Sequence, residues 1–180
     1  MKFVETPIGG AFVIEMERLA DERGFFARTW CAADFAARGL NTTLAQCSVS
    51  FNTKARTLRG MHYQAAPDRE AKVVRCVRGT VYDVIVDARQ GSPTEGRFFA
   101  ITLSEEAPTM LYVPEGVAHG FLTLVDATEV SYAISAFYRA DSQQGFRWDD
   151  PDVGIPWPSQ PLSISARDRA LPSFARRKPP

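Results

Sequence analysis

Two apolar runs, VVRCV (residues 73–77) and VYDVIV (residues 81–86), flank the turn-forming residues RGT (residues 78–80). Valine and isoleucine dominate both runs, as is typical of β-strands, and glycine suits a tight turn between them. This stretch therefore predicts a β-hairpin over residues 73–86.

Short strands are also predicted further along the chain, over Phe98–Leu103, Thr109–Val113, Gly120–Leu124 and Glu129–Phe137. Turn residues separate these strands, which favours a sandwich or barrel over β-α-β units. One helix is predicted on the N-terminal side, over Ala32–Arg38, where Gly39 provides a stop signal.

The composition limits the size and the class of the protein. Its 180 residues, 45% of them hydrophobic, suffice for one buried core and are too few for two ordinary domains. We expect one domain over residues 1–180, with a disordered basic tail from about residue 170 to residue 180. The 21 basic residues balance the 21 acidic residues, so no overall field attracts nucleic acid or a membrane.

The location of the protein is predicted from its N-terminus and its cysteines. The start, MKFVETP (residues 1–7), has no apolar stretch of the signal-peptide type, and no run is long enough to span a bilayer. The cysteines Cys31, Cys47 and Cys76 are widely spaced and odd in number, which indicates reduced thiols. We therefore predict a cytoplasmic protein.

The sequence contains only two histidines, His62 in LRGMHYQ (residues 58–64) and His119 in PEGVAHGF (residues 114–121). Residues two apart in a strand face the same side, so His62 is expected to face with Gln64, and Arg59 with Met61.

The spacing Pro-x-Gly-x-x-His around His119 resembles the second metal-binding motif of cupins. The first motif would need a second histidine where this chain has Gln64. Two imidazoles without further ligands make a poor metal site, so no metal is expected. The predicted fold is an all-β, cupin-like double-stranded β-helix, or jelly roll, with a few short helices.

Several ionisable residues have the chemistry of proton transfer. A neutral imidazole such as His62 is a suitable base near pH 7. A phenol such as Tyr132 stays protonated in the resting enzyme and can return a proton to a carbanion. A lysine such as Lys72 can stabilise the oxyanion that forms when a proton leaves a carbon next to a ketone. Together these groups indicate epimerisation α to a carbonyl.

Eight motifs occur in an order that covers nearly the whole chain. They are DERGFF (residues 21–26), LRGMHYQ (58–64), KVVRC (72–76), VYDVIVD (81–87) with SPT (92–94), PEGVAHGF (114–121), EVSY (129–132), RWDDP (147–151) and SARD (165–168). With this ordered set, the sequence resembles the dTDP-4-dehydrorhamnose 3,5-epimerase family.

The resemblance implies a role for each candidate residue. His62 falls on the family's base, Tyr132 on its proton donor and Asp168 on the carboxylate that pairs with the base. Without the resemblance, Asp83 is a rival partner for His62. Lys72 falls near the C4 ketone. Substrate contacts are expected from Arg23, Phe26, Gln46, Arg59, His119, Tyr138, Gln143 and Arg167. No cofactor is expected.

The resemblance also implies a ligand, a partner and some open alternatives. The ligand is a nucleotide-linked 4-keto-6-deoxy sugar, most simply the dTDP form, and the partner is a second copy that the N-terminal strands reach. Several positions depart from the family's usual residues, namely Arg28, Cys47, Ser48 and Gln143. A C3-only epimerase, a 3,4-ketoisomerase and a non-enzymatic cupin binding module therefore remain alternatives.

Overall fold

The protein is described here by a computed structural model that covers residues 1–177 and 179–180. Fourteen strands and two short helices follow one another along these residues. They are β1 (Lys2–Glu5), β2 (Phe12–Glu15), β3 (Arg18–Asp21), β4 (Gly24–Ala27), α1 (Ala32–Ala36), β5 (Gln46–Asn52), β6 (Thr57–Gln64), β7 (Lys72–Arg78), β8 (Thr80–Asp87), β9 (Phe98–Ser104), β10 (Thr109–Val113), β11 (Val117–Thr123), β12 (Thr128–Ile134), β13 (Gln143–Gly145), β14 (Ser163–Ile164) and α2 (Ala166–Arg169), before a 3-10 turn (Phe174–Arg176).

Two sheets pack face to face. The first sheet has the order β1-β2-β10-β7-β12-β5, and the second has the order β13-β6-β11-β8-β9, with β14 added beside β6. From β5 to β8, and again from β9 to β13, the chain passes from one sheet to the other at each step. This alternation confirms the predicted all-β jelly roll, and the predicted helix is present over Ala32–Ala36.

The predicted hairpin over residues 73–86 is wrong, because β7 and β8 belong to different sheets. Val74 of β7 and Val81 of β8 are both fully buried in the same hydrophobic cluster between the sheets. The chain turns at Gly79, whose φ is +76°, and crosses from one wall of the core to the other. Alternation of apolar and polar residues is the same for two strands paired in a hairpin and for two strands in opposite sheets. This pattern therefore could not distinguish the two arrangements.

The outer faces of both sheets are also covered. Phe35 of α1 packs on the outer face of the first sheet, against Val73 and Met110. On the second sheet, Phe146 and Phe174 cover Val84 and its neighbours. The N-terminal and C-terminal segments therefore add two further hydrophobic clusters, one on the outer face of each sheet.

Part of the predicted disordered tail is packed, which corrects the prediction for those residues. Phe174 is buried, and Arg177 donates hydrogen bonds to Ala88 O at 3.1 Å and to Glu95 Oε1 at 2.5 Å. The apolar area that the Phe174 ring removes from water contributes free energy towards ordering this turn. Lys178, also in the predicted tail, lies outside the described residues. Across residues 1–177 and 179–180, no helix combines the length and apolar character that crossing a membrane requires.

Candidate active site

A cavity of about 600 Å³ opens between the two sheets at one end of the sandwich. Strands β5, β7 and β12 of the first sheet form one wall, and β6 and β11 of the second sheet form the other. The segment from β14 to α2 closes a side. Ten predicted site residues line this cavity: Gln46, Arg59, His62, Lys72, His119, Tyr132, Tyr138, Gln143, Arg167 and Asp168.

A β-bulge at Gly60 sets the directions of the side chains on β6. His62 is paired with His119 and Arg59 with Phe121, so three steps along β6 match two steps along β11. The extra residue brings Arg59 onto the cavity side with His62, while Met61 is buried in the outer core. The prediction that Arg59 and Met61 face together is therefore wrong, because a bulge reverses the alternation of side chains.

Glycine is required at this bulge. Gly60 has a φ of +128°, which L side chains rarely adopt, and a Cβ added there would lie 2.6 Å from the Cα of Gly120. The two backbones can approach closely only because neither position carries a side chain. The positive φ of Gly60 therefore makes possible the bulge that turns the Arg59 side chain towards the cavity.

His62 and Asp168 form a dyad in the lining of the cavity. His62 Nε2 donates to Asp168 Oδ1 at 2.8 Å, and the second carboxylate oxygen accepts from the Gly60 N–H at 3.3 Å. The hydroxyl of Ser165 caps α2 by accepting from the Asp168 N–H. Burial acts to raise the pKa of Asp168, but the hydrogen bonds and the imidazole hold it below its usual value. The carboxylate stays ionised and orients the imidazole.

A second dyad joins His119 to Asp83, the residue considered as a rival partner for His62. His119 Nε2 donates to Asp83 Oδ2 at 2.9 Å, and both side chains are buried. Burial raises the pKa of Asp83, while His119 opposes that rise. Each histidine therefore has its own carboxylate, and only the His62 side chain is substantially open to the cavity.

Tyr132 and Lys72 lie on the facing wall. Tyr132 is paired with Val74, and Lys72 with Ile134, so the two side chains are diagonal neighbours on the inner face of the first sheet. Burial, reinforced by the negative charge of Asp83, raises the pKa of the Tyr132 phenol. The phenol therefore keeps its proton throughout the neutral range and can act as a donor.

The remaining lining residues surround the mouth of the cavity. The Tyr138 N–H donates to Gln46 Oε1 at 3.3 Å, which ties two of them together. Arg59 Nε donates to Asn52 Oδ1 at 2.8 Å. Within the described part of the chain, the buried Oε1 of Gln143 has no hydrogen-bond partner. This mouth offers cationic donors and an amide acceptor to a polar ligand.

Two predicted site residues lie away from the cavity of their own chain. Arg23 pairs with Asp21, and its side chain is 83% exposed. Phe26 is 72% exposed. Both belong to the hairpin β3–β4, which pairs with neither large sheet.

Ten of the residues that line the cavity were not among the predicted site residues, and Glu70 is the one charged residue in that group. It forms an ion pair with Lys72 inside the cavity. The spacing of two residues between an acid and a lysine at the start of a predicted strand was the available signal, since it places both on one face.

Gln64, which stands where a metal-binding cupin would have a histidine, is held by the backbone. Its amide donates to Asp68 O at 2.9 Å and accepts from the Arg139 N–H at 2.7 Å. Among the residues that the structure describes, no group of three or more histidine, cysteine or acidic side chains could hold a metal ion. Gln64 therefore acts as a structural clamp between β6 and the segment before β13.

The chain is similar to known sugar epimerases over almost its whole length. The family model for dTDP-4-dehydrorhamnose 3,5-epimerase matches residues 5–176. The enzyme of that name from Methanothermobacter thermautotrophicus is 40% identical over 171 residues, which are 93% of this chain and 91% of the relative.

The chain is also similar to solved structures of sugar epimerases. The Bacillus anthracis dTDP-4-dehydrorhamnose 3,5-epimerase with TDP and PPi bound has a TM-score of 0.91 and 37% identity, over 96% of this chain and 98% of that one. ChmJ, a 3'-monoepimerase from Streptomyces bikiniensis in complex with dTDP-quinovose, has a TM-score of 0.87 and 34% identity, over 94% of this chain and 86% of that one.

The jelly roll and these relatives define an isomerase of the sugar epimerase class. The chain belongs to the dTDP-4-dehydrorhamnose 3,5-epimerase family.

Proposed function

We propose that this enzyme inverts C3, C5 or both in a dTDP-linked 4-keto-6-deoxy sugar. The observation that carries the proposal is the division of the site between two walls. The His62–Asp168 dyad lies on the second sheet and the segment beside it, and Tyr132 lies on the first sheet. A planar intermediate between them has a base on one face and an acid on the other.

The chemistry follows from these positions. The C4 ketone acidifies the hydrogens on C3 and C5, and His62, oriented by Asp168, accepts one of them. The electron pair of the broken C–H bond moves into an enolate, whose oxygen Lys72 stabilises. Tyr132 then gives its phenolic proton to the opposite face of the carbon, which inverts that centre. Proton exchange with water restores both residues, and no redox step is needed.

The identity of the nucleotide is proposed from the relatives. The Bacillus anthracis structure contains TDP, and the ChmJ structure contains a dTDP sugar. The mouth of the cavity, with Arg59, Arg167 and Tyr138, offers cations for a diphosphate and a ring for a base. ChmJ also supports the second candidate, an epimerase that inverts C3 alone.

The experiment is incubation of the enzyme in D2O with dTDP-4-keto-6-deoxyglucose, followed by NMR. We expect deuterium at each inverted carbon and a new diastereomer, and deuterium at C3 alone would favour the second candidate. Parallel samples with the GDP and CDP sugars test the nucleotide. A wild-type enzyme that exchanges no carbon-bound hydrogen in any of the three would overturn the proposal.

We also propose a homodimer in which the hairpin β3–β4 reaches the cavity of the partner. This arrangement would give a site to Arg23 and Phe26, which lie outside the cavity of their own chain. The hairpin exposes large apolar side chains, as does β5: Leu19, Phe25 and Phe26 on the hairpin, and Val49 and Phe51 on β5. Clustered exposed apolar groups are typical of protein interfaces.

We also propose a cytoplasmic location, which the three free and widely spaced cysteines support.

Mixing two inactive variants tests the dimer. After His62→Ala and Arg23→Ala subunits are mixed and re-equilibrated, one site of each heterodimer would combine an intact His62 with an intact Arg23. Statistical mixing then predicts about a quarter of the wild-type activity. Recovery of no activity, or elution of the wild-type protein as a monomer in light-scattering chromatography, would contradict the arrangement.

A further inference from the structure

Glu70 and Lys72 form an ion pair on the wall of the cavity. Lys72 Nζ lies 2.7 Å from Glu70 Oε1, and the two side chains are only 13% and 8% exposed. Both residues line the cavity that contains the His62–Asp168 dyad. Lys72 is the first residue of β7, and Glu70 lies two positions before it, so the pair sits at the point where the strand enters the site.

The burial of this pair separates it from an ordinary surface ion pair. The exposed pair Lys54–Asp126, for example, has side chains that are 71% and 58% exposed. A carboxylate and an ammonium that are largely removed from water lose hydration that their attraction only partly restores. The pair therefore adds little net stability, and its value lies in fixing the position of a charge.

Lysine needs such a partner if its charge is to act at one point. Its ammonium ends a flexible four-carbon stem and has three donors. One donor engaged by Glu70 restrains the stem and leaves the others for a ligand oxygen. A positioned donor stabilises a developing charge without having to reorganise during the reaction.

We propose, building on the proposed function, that Glu70 is a positioning residue that holds the Lys72 ammonium at the oxygen of the enolate. Glu70 acts through Lys72 and does not touch the sugar. Its loss affects the step in which the negative charge develops and leaves substrate binding almost unchanged.

The test uses Glu70→Gln, which keeps the shape of the side chain and removes its charge. We expect kcat for deuterium exchange into the sugar to fall roughly tenfold or more, with KM within about twofold, because the interaction strengthens only in the transition state. Glu115→Gln is the matched control, since Glu115 is exposed and bonds Asn41 away from the cavity. A Glu70→Gln variant with unchanged kcat, or with a loss confined to KM, would overturn the proposal.

A double-mutant cycle shows whether Glu70 acts through Lys72. In a Lys72→Met background, Glu70→Gln is expected to change the residual exchange rate by less than about twofold. Full additivity of the two losses would show a separate role for Glu70 and would overturn the proposal. If Glu70→Gln fails to fold, Glu70→Asp takes its place in the same cycle, with the same two outcomes.

This result is separable from a failure of the proposed function. If the wild-type enzyme exchanges deuterium and the Glu70 variants behave like the Glu115 control, only the role of Glu70 is wrong. If the wild-type enzyme exchanges nothing, the proposed function itself has failed.

Discussion

Among single residues, the candidate site depends on which carboxylate is hydrogen-bonded to which histidine. The sequence offered Asp83 and Asp168 as partners for His62, and only the family resemblance favoured Asp168. In the folded chain, His62 is hydrogen-bonded to Asp168, and His119 is hydrogen-bonded to Asp83. Residue types alone could not separate the two carboxylates, because both become partners only after distant segments of the chain meet.

Glu70 illustrates the same limit. Its chemistry was visible in the sequence, but its burial in the cavity was not. The burial depends on β7 entering the first sheet between β10 and β12. The spacing of Glu70 and Lys72 indicates that both side chains lie on the same side of the chain. It does not indicate whether that side faces the cavity or solvent.

Replacement of Tyr132 by phenylalanine tests the division of labour across the cavity. His62 remains able to remove a proton and return a deuteron on the same face, so Tyr132→Phe is expected to retain measurable exchange. The inverted product is expected to form at least about 100-fold more slowly, because the acid on the opposite face is missing. NMR of the sugar in D2O reports both quantities. Equal inversion rates for the variant and the wild-type enzyme would remove Tyr132 from the mechanism.

At the scale of elements, the strands were largely predictable and their partners were not. Alternating apolar residues located most of the strands from β7 to β12 within a few residues. The hairpin predicted from residues 73–86 failed, since β7 and β8 line opposite sides of the core. The predicted direction of the Arg59 side chain was also wrong, because the bulge at Gly60 shifts the alternation of side chains by one residue.

The bulge leads to a prediction about Gly60→Ala. The added Cβ meets the Cα of Gly120 at 2.6 Å and the carbonyl oxygen of His119 at 3.0 Å, at a φ of +128°. We expect the free energy of unfolding to fall by at least about 3 kcal/mol, from backbone strain and steric overlap together.

Gly39→Ala is the control for this change. Gly39 also has a positive φ, of +67°, and no atom of the described residues lies within 4 Å of an added Cβ. It follows α1, outside the hairpin β3–β4 that is proposed to reach the partner. Its expected loss is about 1 kcal/mol, which gives the cost of a left-handed backbone angle without steric overlap. Urea denaturation measures both variants, and equal losses would show that the close approach of β6 and β11 does not matter.

In the whole molecule, strand spacing predicted a sandwich or barrel, and the cupin-like motif around His119 specified a jelly roll. The order of the strands in the two sheets confirms that fold. The packing of Phe174 against the second sheet was not predictable from the same signals. A short basic tail has the composition of a disordered segment. The apolar surface that Phe174 covers is formed by strands that are distant in the sequence, so the sequence near the tail does not reveal it.

Acid sensitivity is a property of the folded molecule as a whole, and Asp87 contributes to it at the end of β8. Burial acts to raise the pKa of Asp87, but hydrogen bonds from Arg89, Ser92 and Thr94 outweigh it and lower the pKa from 3.8 to about 2. A carboxylate with a lowered pKa stabilises the fold above its unfolded pKa, and that contribution disappears as the pH falls from 3.8 towards 2.

Asp87→Asn is therefore expected to destabilise the protein by about 2 kcal/mol at pH 7. The difference from the wild-type protein is expected to shrink as the pH falls from 4 towards 2, because the Asp87 carboxyl of the unfolded chain takes up a proton there while the folded chain keeps its carboxylate ionised down to about pH 2. Urea denaturation at a series of pH values measures this difference. A difference that stays constant down to pH 2 would mean that packing, and not ionisation, accounts for the loss.

The role of His62 as the base of an epimerase can be measured by the exchange of carbon-bound hydrogen. The His62→Ala variant and the wild-type enzyme are incubated in D2O with the dTDP-linked keto-sugar, and NMR follows deuterium at C3 and C5. We expect exchange with inversion for the wild-type enzyme and a rate at least about 1000-fold lower for a folded His62→Ala variant. Exchange at the wild-type rate in that variant would contradict that role.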